Sequence, residues 1–234
     1  MSRYIAIVED EPAIAENYKA LFVRQGYQVQ TFAHRQSAWH AFQQRLPDLA
    51  IIDIGLAEDV EGGFELCRDL RALAPQLPII FLTARDSEYD AVSGLRLGAD
   101  DFLSKDISLP HLAARVVALF RRINALSQQD TPQLLNRGEL SLDSTQMRAT
   151  WQTQPLPLTL TEFWIIHALA SHPGHVKSRQ QLMQAANVVL DDNTITSHIK
   201  RIRRKFQQID GDFQAIESIY GLGYRWLESS HATH

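Results

Sequence analysis

Residues 49–52, Leu-Ala-Ile-Ile, are apolar at every position and are followed at once by Asp53. The runs over 4–8 and 79–82 have the same form. A run this short and continuous has no polar face to turn toward water, so it belongs in a sheet covered on both sides, which is a parallel one. Between the runs lie stretches with helical punctuation, Pro12 in a first turn and Gly26 just past an end. The expected strands span 4–8, 27–31, 49–53, 79–83 and 101–103, and the expected helices 12–25, 36–45, 64–73, 88–97 and 109–123. Five strands alternating with five helices make a doubly wound α/β sheet, ordered 2-1-3-4-5.

Such sheets open their ligand crevices beyond the carboxyl ends of the strands. Glu9, Asp10 and Glu11 follow the first strand, Asp53 the third, Thr83 ends the fourth and Lys105 follows the fifth. Those four strands are neighbours in the expected order, so the polar side chains converge on one edge. Taken alone, Asp53 could be a ligand, a nucleophile or the cap of the next helix. Carboxylates packed together repel one another unless a cation joins them, and oxygen-only ligands with room for water suit Mg²⁺ better than a transition metal. A hydroxyl and an ammonium facing a metal-bound carboxylate supply the charge neutralisation that phosphoryl transfer needs, with the carboxylate as in-line nucleophile.

The segments I-V-E-D-E, D-L-A-I-I-D, F-L-T-A-R and G-A-D-D-F-L-S-K, in this order and spacing, resemble the receiver domain of a two-component response regulator, a flavodoxin-like (βα)5 fold. The resemblance covers residues 1–122. It implies that Asp53 is the phosphoacceptor, supplied by a sensor histidine kinase. It further implies that Asp10, Asp53 and the Gly55 carbonyl bind Mg²⁺ directly, with Glu9 acting through water. Thr83 would hydrogen-bond a phosphoryl oxygen, Lys105 would pair with the phosphoryl group, and Phe102 would be the aromatic switch.

The chain departs from that pattern in places. Asp106 follows Lys105 where proline in a cis peptide is usual, so the bond is either trans or strained. The loop after Asp53 lacks its usual proline, is about two residues longer than common, and adds Glu58, Asp59 and Glu61, expected to be solvated. S-K-D in place of S-K-P is also similar to the regulators that accompany proteobacterial sortase systems. Receivers of the OmpR/PhoB type dimerise through charge pairs, and Asp100, Asp101 and Arg115 match that face. Ala91, His111, Arg96 and Val117 do not, so a homodimer by the same face with fewer cross-pairs is expected.

The second half has a different texture. A polar tether is expected over 123–136, and a second domain over 137–229. Short alternating runs over 139–142, 147–151 and 155–158 read as antiparallel strands. Thr159 and Glu162 form a capping box that opens a helix, and Ser178 with Gln181 opens another. A third helix, over 194–207, places Ile195, Ile199, Ile202 and Phe206 on one face. Its other face offers Ser197, Lys200, Arg201 and Arg204, with His198 and Arg203 at the flank, and a glycine-cornered hairpin follows over 217–226. Helix-turn-helix plus hairpin is a winged helix, an α+β unit whose third helix can enter the major groove of DNA.

From its strand-rich start through L-T-x-x-E-F to I-x-G-x-G-Y-R, this half resembles the effector domain of the OmpR/PhoB family. The resemblance implies that Thr194, Ser197, His198, Arg201 and Arg203 face double-stranded promoter DNA, with Arg201 the base reader and the others mostly on phosphates. Lys200 and Arg204 lie on the same basic face. Tyr220 stands where the wing often carries an arginine, which weakens A·T preference in the minor groove. The 187–192 loop is short and lacks the tryptophan usual for contact with RNA polymerase. His167, His172 and His175 have no carboxylate or cysteine partners at metal-ligand spacing and are read as core or surface residues.

At 234 residues the chain is long for one domain, and a 45% hydrophobic content can fill two cores. The formal net charge of −4 resides in the first half. The second half is neutral, with its basic residues concentrated between Lys200 and Lys205, which suggests a localised contact with a polyanion. One cysteine, Cys67, forms no internal disulfide, and no apolar run approaches the roughly 18 residues of a membrane helix, so a cytoplasmic protein with no membrane partner is expected. Two rival readings remain. An aspartate-nucleophile phosphohydrolase would need a second acid two residues after Asp53, where Gly55 stands; a phosphorylation-independent DNA-binding factor with a degenerate receiver would not need the intact acidic set. The expected protein is therefore a regulator rather than an enzyme.

Overall fold

The computed structural model describes residues 2–56, 59–84, 97–127, 134–186 and 192–227, with backbone only over 122–127 and 192–194. The chain forms two compact units, 1–118 and 119–234.

The first unit contains β1 (Tyr4–Val8), α1 (Pro12–Arg24), β2 (Gln28–Phe32), α2 (Arg35–Gln44), β3 (Leu49–Ile52), α3 (Gly62–Leu73), β4 (Ile79–Thr83), β5 (Asp101–Ser104) and the start of α4 (Leu109–Ser127). All strand pairs are parallel and the order is β2-β1-β3-β4-β5, as expected. β1, β3 and β4 are buried at every position, whereas β2 at the edge is buried only at Phe32. Helices cover the inner strands on both faces and leave the edge strand partly wet, which is why the all-apolar runs are the central ones. The helix expected over 88–97 falls, up to its last residue, outside the described residues.

Gly63 sets the spacing at the end of β3. Its N–H donates to the Ile54 carbonyl at 2.9 Å, and a Cβ there would overlap the Asp53 carbonyl oxygen. Only glycine lets the first turn of α3 come this close to the chain that carries Asp53.

The second unit contains an antiparallel sheet, β6 (Leu134–Arg137), β7 (Leu140–Asp143), β8 (Arg148–Trp151) and β9 (Gln154–Pro155), in sequential order. Helices α5 (Leu160–Ala170), α6 (Arg179–Ala186) and α7 (Asp192–Gln207) follow, then the hairpin β10 (Ile216–Ile219) and β11 (Gly223–Trp226). Ile195, Ile199, Ile202 and Phe206 of α7 are all buried, as their spacing predicts. Phe206 stacks on Phe213 at 4.1 Å, and Trp151 meets both rings edge-on at 5.2 Å.

Two expectations are corrected. β6 and the end of α4 both lie in the stretch expected to be a tether; β6 is an edge strand that exposes Leu134 and Asn136 and packs Leu135 against the core while its backbone pairs with β7. The strand expected over 155–158 stops at Pro155: the Leu156 N–H still reaches the Ala149 carbonyl at 2.9 Å, but Pro157 has no N–H to carry the ladder further. Among the described residues no helix is long and apolar enough to cross a membrane.

Candidate functional site

The carboxyl edge of the parallel sheet gathers the residues singled out above. One ligand oxygen each from Glu9, Asp10 and Asp53 lies within 4.8 Å of the others. Lys105 Nζ sits 2.8 Å from Glu9 Oε1 and 2.8 Å from Asp53 Oδ2, with Glu11 Oε1 at 3.9 Å. Asp53 Oδ1 accepts from the Ile54 N–H at 2.7 Å, and Glu9 Oε1 from the Glu11 N–H at 3.2 Å. Glu9, Asp53 and Thr83 are buried.

Burial pushes the Glu9 carboxyl above its usual range, with Lys105 opposing and Asp53 adding to the rise. Burial also works against the Lys105 ammonium, but its hydrogen bonds to Asp53 and Glu9 outweigh that and push it up to about 12. The ammonium is therefore permanently charged at neutral pH, yet one positive charge among three carboxylates leaves the site net negative. A hard divalent cation with oxygen ligands, Mg²⁺ above all, fits this donor set. Gly55, two residues beyond Asp53, is half-buried, and a Cβ there would meet nothing within 4 Å. The Thr83 carbonyl accepts from the Lys105 N–H at 2.9 Å, which ties the ends of β4 and β5 together. Phe102 is buried, its ring 6.2 Å from that of Phe81. Among the described residues there is no cis peptide bond, so Lys105–Asp106 is trans.

Of the three residues expected on a dimer face, one lies inside the fold and the other two pair with each other. Asp100 is 2% exposed and accepts from Arg71 Nη2 at 2.7 Å and from the Ile79 N–H at 3.0 Å. It is an internal strut between α3 and the sheet, a correction to its placement on an outer surface: a buried carboxylate needs its counter-charge close by, and Arg71 supplies it. Asp101 and Arg115 pair with each other inside one chain at 2.8 Å. Burial, opposed by Arg115, pushes the Asp101 carboxyl up to about 6. His111 and Val117 are exposed, while Ala91, Arg96 and Glu58 lie outside the described residues.

In the second unit, α7 and the hairpin form one surface. Lys200 and Arg204 are exposed on α7, with Ser197 half-buried beside them; Thr196, which the sequence reading passed over, is also exposed. Its place one turn before Lys200 on the polar face could have found it. The side chain of Thr194 is not described. Arg203 donates from Nη2 to the Ile216 carbonyl at 2.8 Å and to Ser218 Oγ at 3.0 Å, so it holds the hairpin to the helix. Tyr220 stands fully exposed at the hairpin tip.

Arg201 and His198 do not face outward, which corrects their assignment to DNA. Arg201 donates from Nε to Glu162 Oε1 at 2.6 Å, and its Nη2 lies 2.7 Å from Nδ1 of His198, which is wholly buried. Burial and the adjacent Arg201 push His198 down to about 3, so it is neutral. The wholly buried Glu162 also accepts from Lys205 Nζ at 2.6 Å and from the Thr159 N–H at 2.8 Å, completing the capping box. Despite its burial, Arg201 and Lys205 hold Glu162 down to about 2. The spacing carried a signal for this: 198, 201 and 205 flank the apolar stripe, so they point toward α5 and not away from it. His172 and His175 have ring centroids 6.0 Å apart, and His167 lies between 5.3 and 6.3 Å from Trp164 and Phe163.

Comparisons with known proteins bear on both units. Residues 5–117 match the response regulator receiver domain, and residues 153–226 match the C-terminal domain of transcriptional regulatory proteins. The transcriptional regulatory protein CreB of Escherichia coli K12 is 38% identical over 93% of this chain and 95% of its own length. The phosphate regulon transcriptional regulatory protein PhoB of the same organism is 32% identical over 97% and 98%. Among solved structures, the response regulator DrrB of Thermotoga maritima, described as an OmpR/PhoB homologue, is 25% identical over 97% of this chain and all of its own, with a TM-score of 0.51. A RitR mutant at 20% identity shares the fold, with a TM-score of 0.76 over 97% of this chain and 100% of its own.

Proposed function

The chain belongs to the OmpR/PhoB family of response regulators, and from that premise we propose that it is a transcription factor gated by phosphorylation of Asp53. The observation that carries the proposal is the edge cluster itself: Asp53 lies among Glu9, Asp10 and Lys105, in a chain whose second unit is a winged helix. In the transfer an Asp53 carboxylate oxygen attacks phosphorus in line. The phosphorus–nitrogen bond of the kinase's phosphohistidine breaks, and its electron pair leaves on the imidazole nitrogen. Lys105 exchanges part of its pairing with Asp53 for the arriving phosphoryl oxygens, and the Thr83 hydroxyl donates to one of them. Asp10, Asp53 and the Gly55 carbonyl, with Glu9 through water, would hold Mg²⁺, which would supply charge neutralisation.

Phe102 follows Thr83 inward and links the edge to the outer face of α4 and β5, where two copies pair. The dimer then engages tandem half-sites through Lys200, Arg204 and Ser197 of α7 and recruits RNA polymerase. A few kcal/mol of differential stability suffices for such a switch. We assign the receiver to residues 1–122 and the effector to the unit that opens at β6 and ends near residue 229, in a cytoplasmic, non-enzymatic protein. Its relatives CreB and PhoB are transcriptional regulators, which favours this reading over a phosphohydrolase.

The test is intact-mass spectrometry after incubation with acetyl phosphate and Mg²⁺. A single phosphoryl adduct, lost in Asp53→Asn and without Mg²⁺, is expected. An unmodified wild-type protein that still occupies promoter DNA would establish a degenerate receiver instead.

A further inference from the structure

The hairpin tip presents an unusual surface for a contact with a polyanion. Tyr220 and Leu222, at 102% and 62%, are the most exposed large hydrophobic residues among those described, and they share one turn. No charged residue lies between Ser218 and Tyr224, and the nearest acid, Glu217, is neutralised by Arg225 at 2.5 Å. An isolated apolar tip of this kind would ordinarily collapse onto the body of the domain or be replaced by polar residues.

The tip cannot fold back, because the hairpin beneath it is fixed from several directions. The Leu222 N–H closes the turn on the Ile219 carbonyl at 3.0 Å, with Gly221 at φ +72°. Lys177 and Tyr224 exchange two backbone hydrogen bonds of 2.8 and 3.0 Å, and a Cβ on Gly223 would overlap the Lys177 carbonyl. Tyr224 Oη in turn donates to Thr196 Oγ1 on α7 at 3.3 Å, and Arg203 ties α7 to β10. The tip is thus held at a constant offset from the exposed cations Lys200 and Arg204. The guanidinium groups of Arg179 and Arg203, 5.9 and 6.0 Å from the Tyr224 ring, add positive charge at the hairpin's base.

A basic surface with an apolar point at a set distance matches duplex DNA: cations neutralise phosphates while the point enters a groove. An ammonium or guanidinium at such a tip would read the negative potential of a narrow minor groove. A phenol ring and an isobutyl group cannot do so, and gain instead by leaving water and contacting base faces. We propose that Tyr220 and Leu222 form a wedge that enters the minor groove beside the α7 contact and opens a base step there. The inference rests on the DNA-binding reading of the second unit. It assigns this regulator a specificity based on deformability: flexible pyrimidine–purine steps, TA and CA/TG, are favoured under the tip, and the bound duplex is bent.

The experiment uses the full chain and a duplex selected from a random-sequence pool by the wild-type protein. That duplex carries end-to-end fluorescence donor and acceptor, with 2-aminopurine placed step by step across the site. Wild type is expected to shorten the end-to-end distance and brighten 2-aminopurine at one step. The double variant Tyr220→Ala, Leu222→Ala should lose both signals and bind roughly tenfold more weakly. Its slope of log affinity against log salt should stay unchanged, since an apolar wedge releases no counter-ions. Lys200→Ala should lower that slope by about 0.9 while keeping the brightening. Tyr220→Phe, which keeps the ring, should behave as wild type.

Wild-type affinity and brightening in the double variant would overturn the wedge and leave DNA binding intact. So would a reduced salt slope, which would make the tip contact ionic. Failure of the wild-type protein to select any duplex would instead overturn the DNA-binding reading on which the wedge rests.

Discussion

Glu162 Oε1 lies 2.6 Å from Nε of Arg201, so the arginine best placed by sequence to read a base is the counter-charge of a buried helix cap. Glu162 accepts from the Thr159 N–H at the start of α5 and from the cations of α7 at once, and this fixes the angle at which α7 presents Lys200 and Arg204.

Arg201→Ala should therefore act on stability. Removing Arg201 leaves the buried Glu162 with Lys205 as its remaining cation, a loss of roughly 1.5–3 kcal/mol for the charged hydrogen bond. Urea unfolding followed by the fluorescence of Trp151 and Trp226 should show that loss, whereas Lys200→Ala should stay within about 0.5 kcal/mol of wild type. Equal stability of Arg201→Ala and wild type, with relaxed base preference, would restore the arginine to the DNA.

The same pair sets an acid limit. Glu162 is held at about 2, below its ordinary 4.5, so its contribution is complete above pH 4.5 and disappears as pH falls toward 2. The stability gap between wild type and Glu162→Gln should narrow across that interval and be flat above it. A gap that persists unchanged to pH 2 would mean that the ion pair is not its source.

At the sheet edge, Lys105→Ala takes the ammonium from Glu9 and Asp53. Stability without divalent ions should fall by roughly 2 kcal/mol, allowing for solvent screening at a partly open site. Mg²⁺ should recover most of it, and the rise in Tm on adding Mg²⁺ should be larger than in wild type. Identical Mg²⁺ responses in the two proteins would separate the lysine from the metal site.

Gly63→Ala drives a methyl group into the Asp53 carbonyl. Either α3 or the end of β3 must move, at about 3 kcal/mol for overpacking against backbone. Thermal unfolding should register the loss, and Mg²⁺ affinity should weaken because Asp53 moves with its backbone. A variant with wild-type Tm would show that α3 has slack at its first turn.

The edge cluster was legible because each of its members ends an apolar run or lies within two residues of its end, and parallel strands with short connections bring such ends together whatever the details of packing. Glu9, Asp10, Asp53, Thr83 and Lys105 were all named on that ground. The interior fates of Asp100, Arg201 and His198 were not legible in the same way. Asp100 and Asp101 are adjacent, chemically identical and both buried, and only the positions of Arg71 on α3 and Arg115 on α4 decide which cation each one meets. β6 was hidden because so short an edge strand buries little, with Leu134 exposed and Leu135 half-buried, and its backbone pairing with β7 leaves no periodic mark in the sequence.

Periodicity and punctuation, local properties of the chain, determined the five-stranded parallel sheet, its order, the three helices of the second unit and the hairpin that ends it. Tertiary structure alone decided where each charge was neutralised. Whether Arg201 meets a phosphate or Glu162, and whether Asp100 meets a second copy or Arg71, depends on distances of a few ångströms between residues far apart in sequence. Burial makes those distances decisive, because a charge removed from water must find its partner inside the fold.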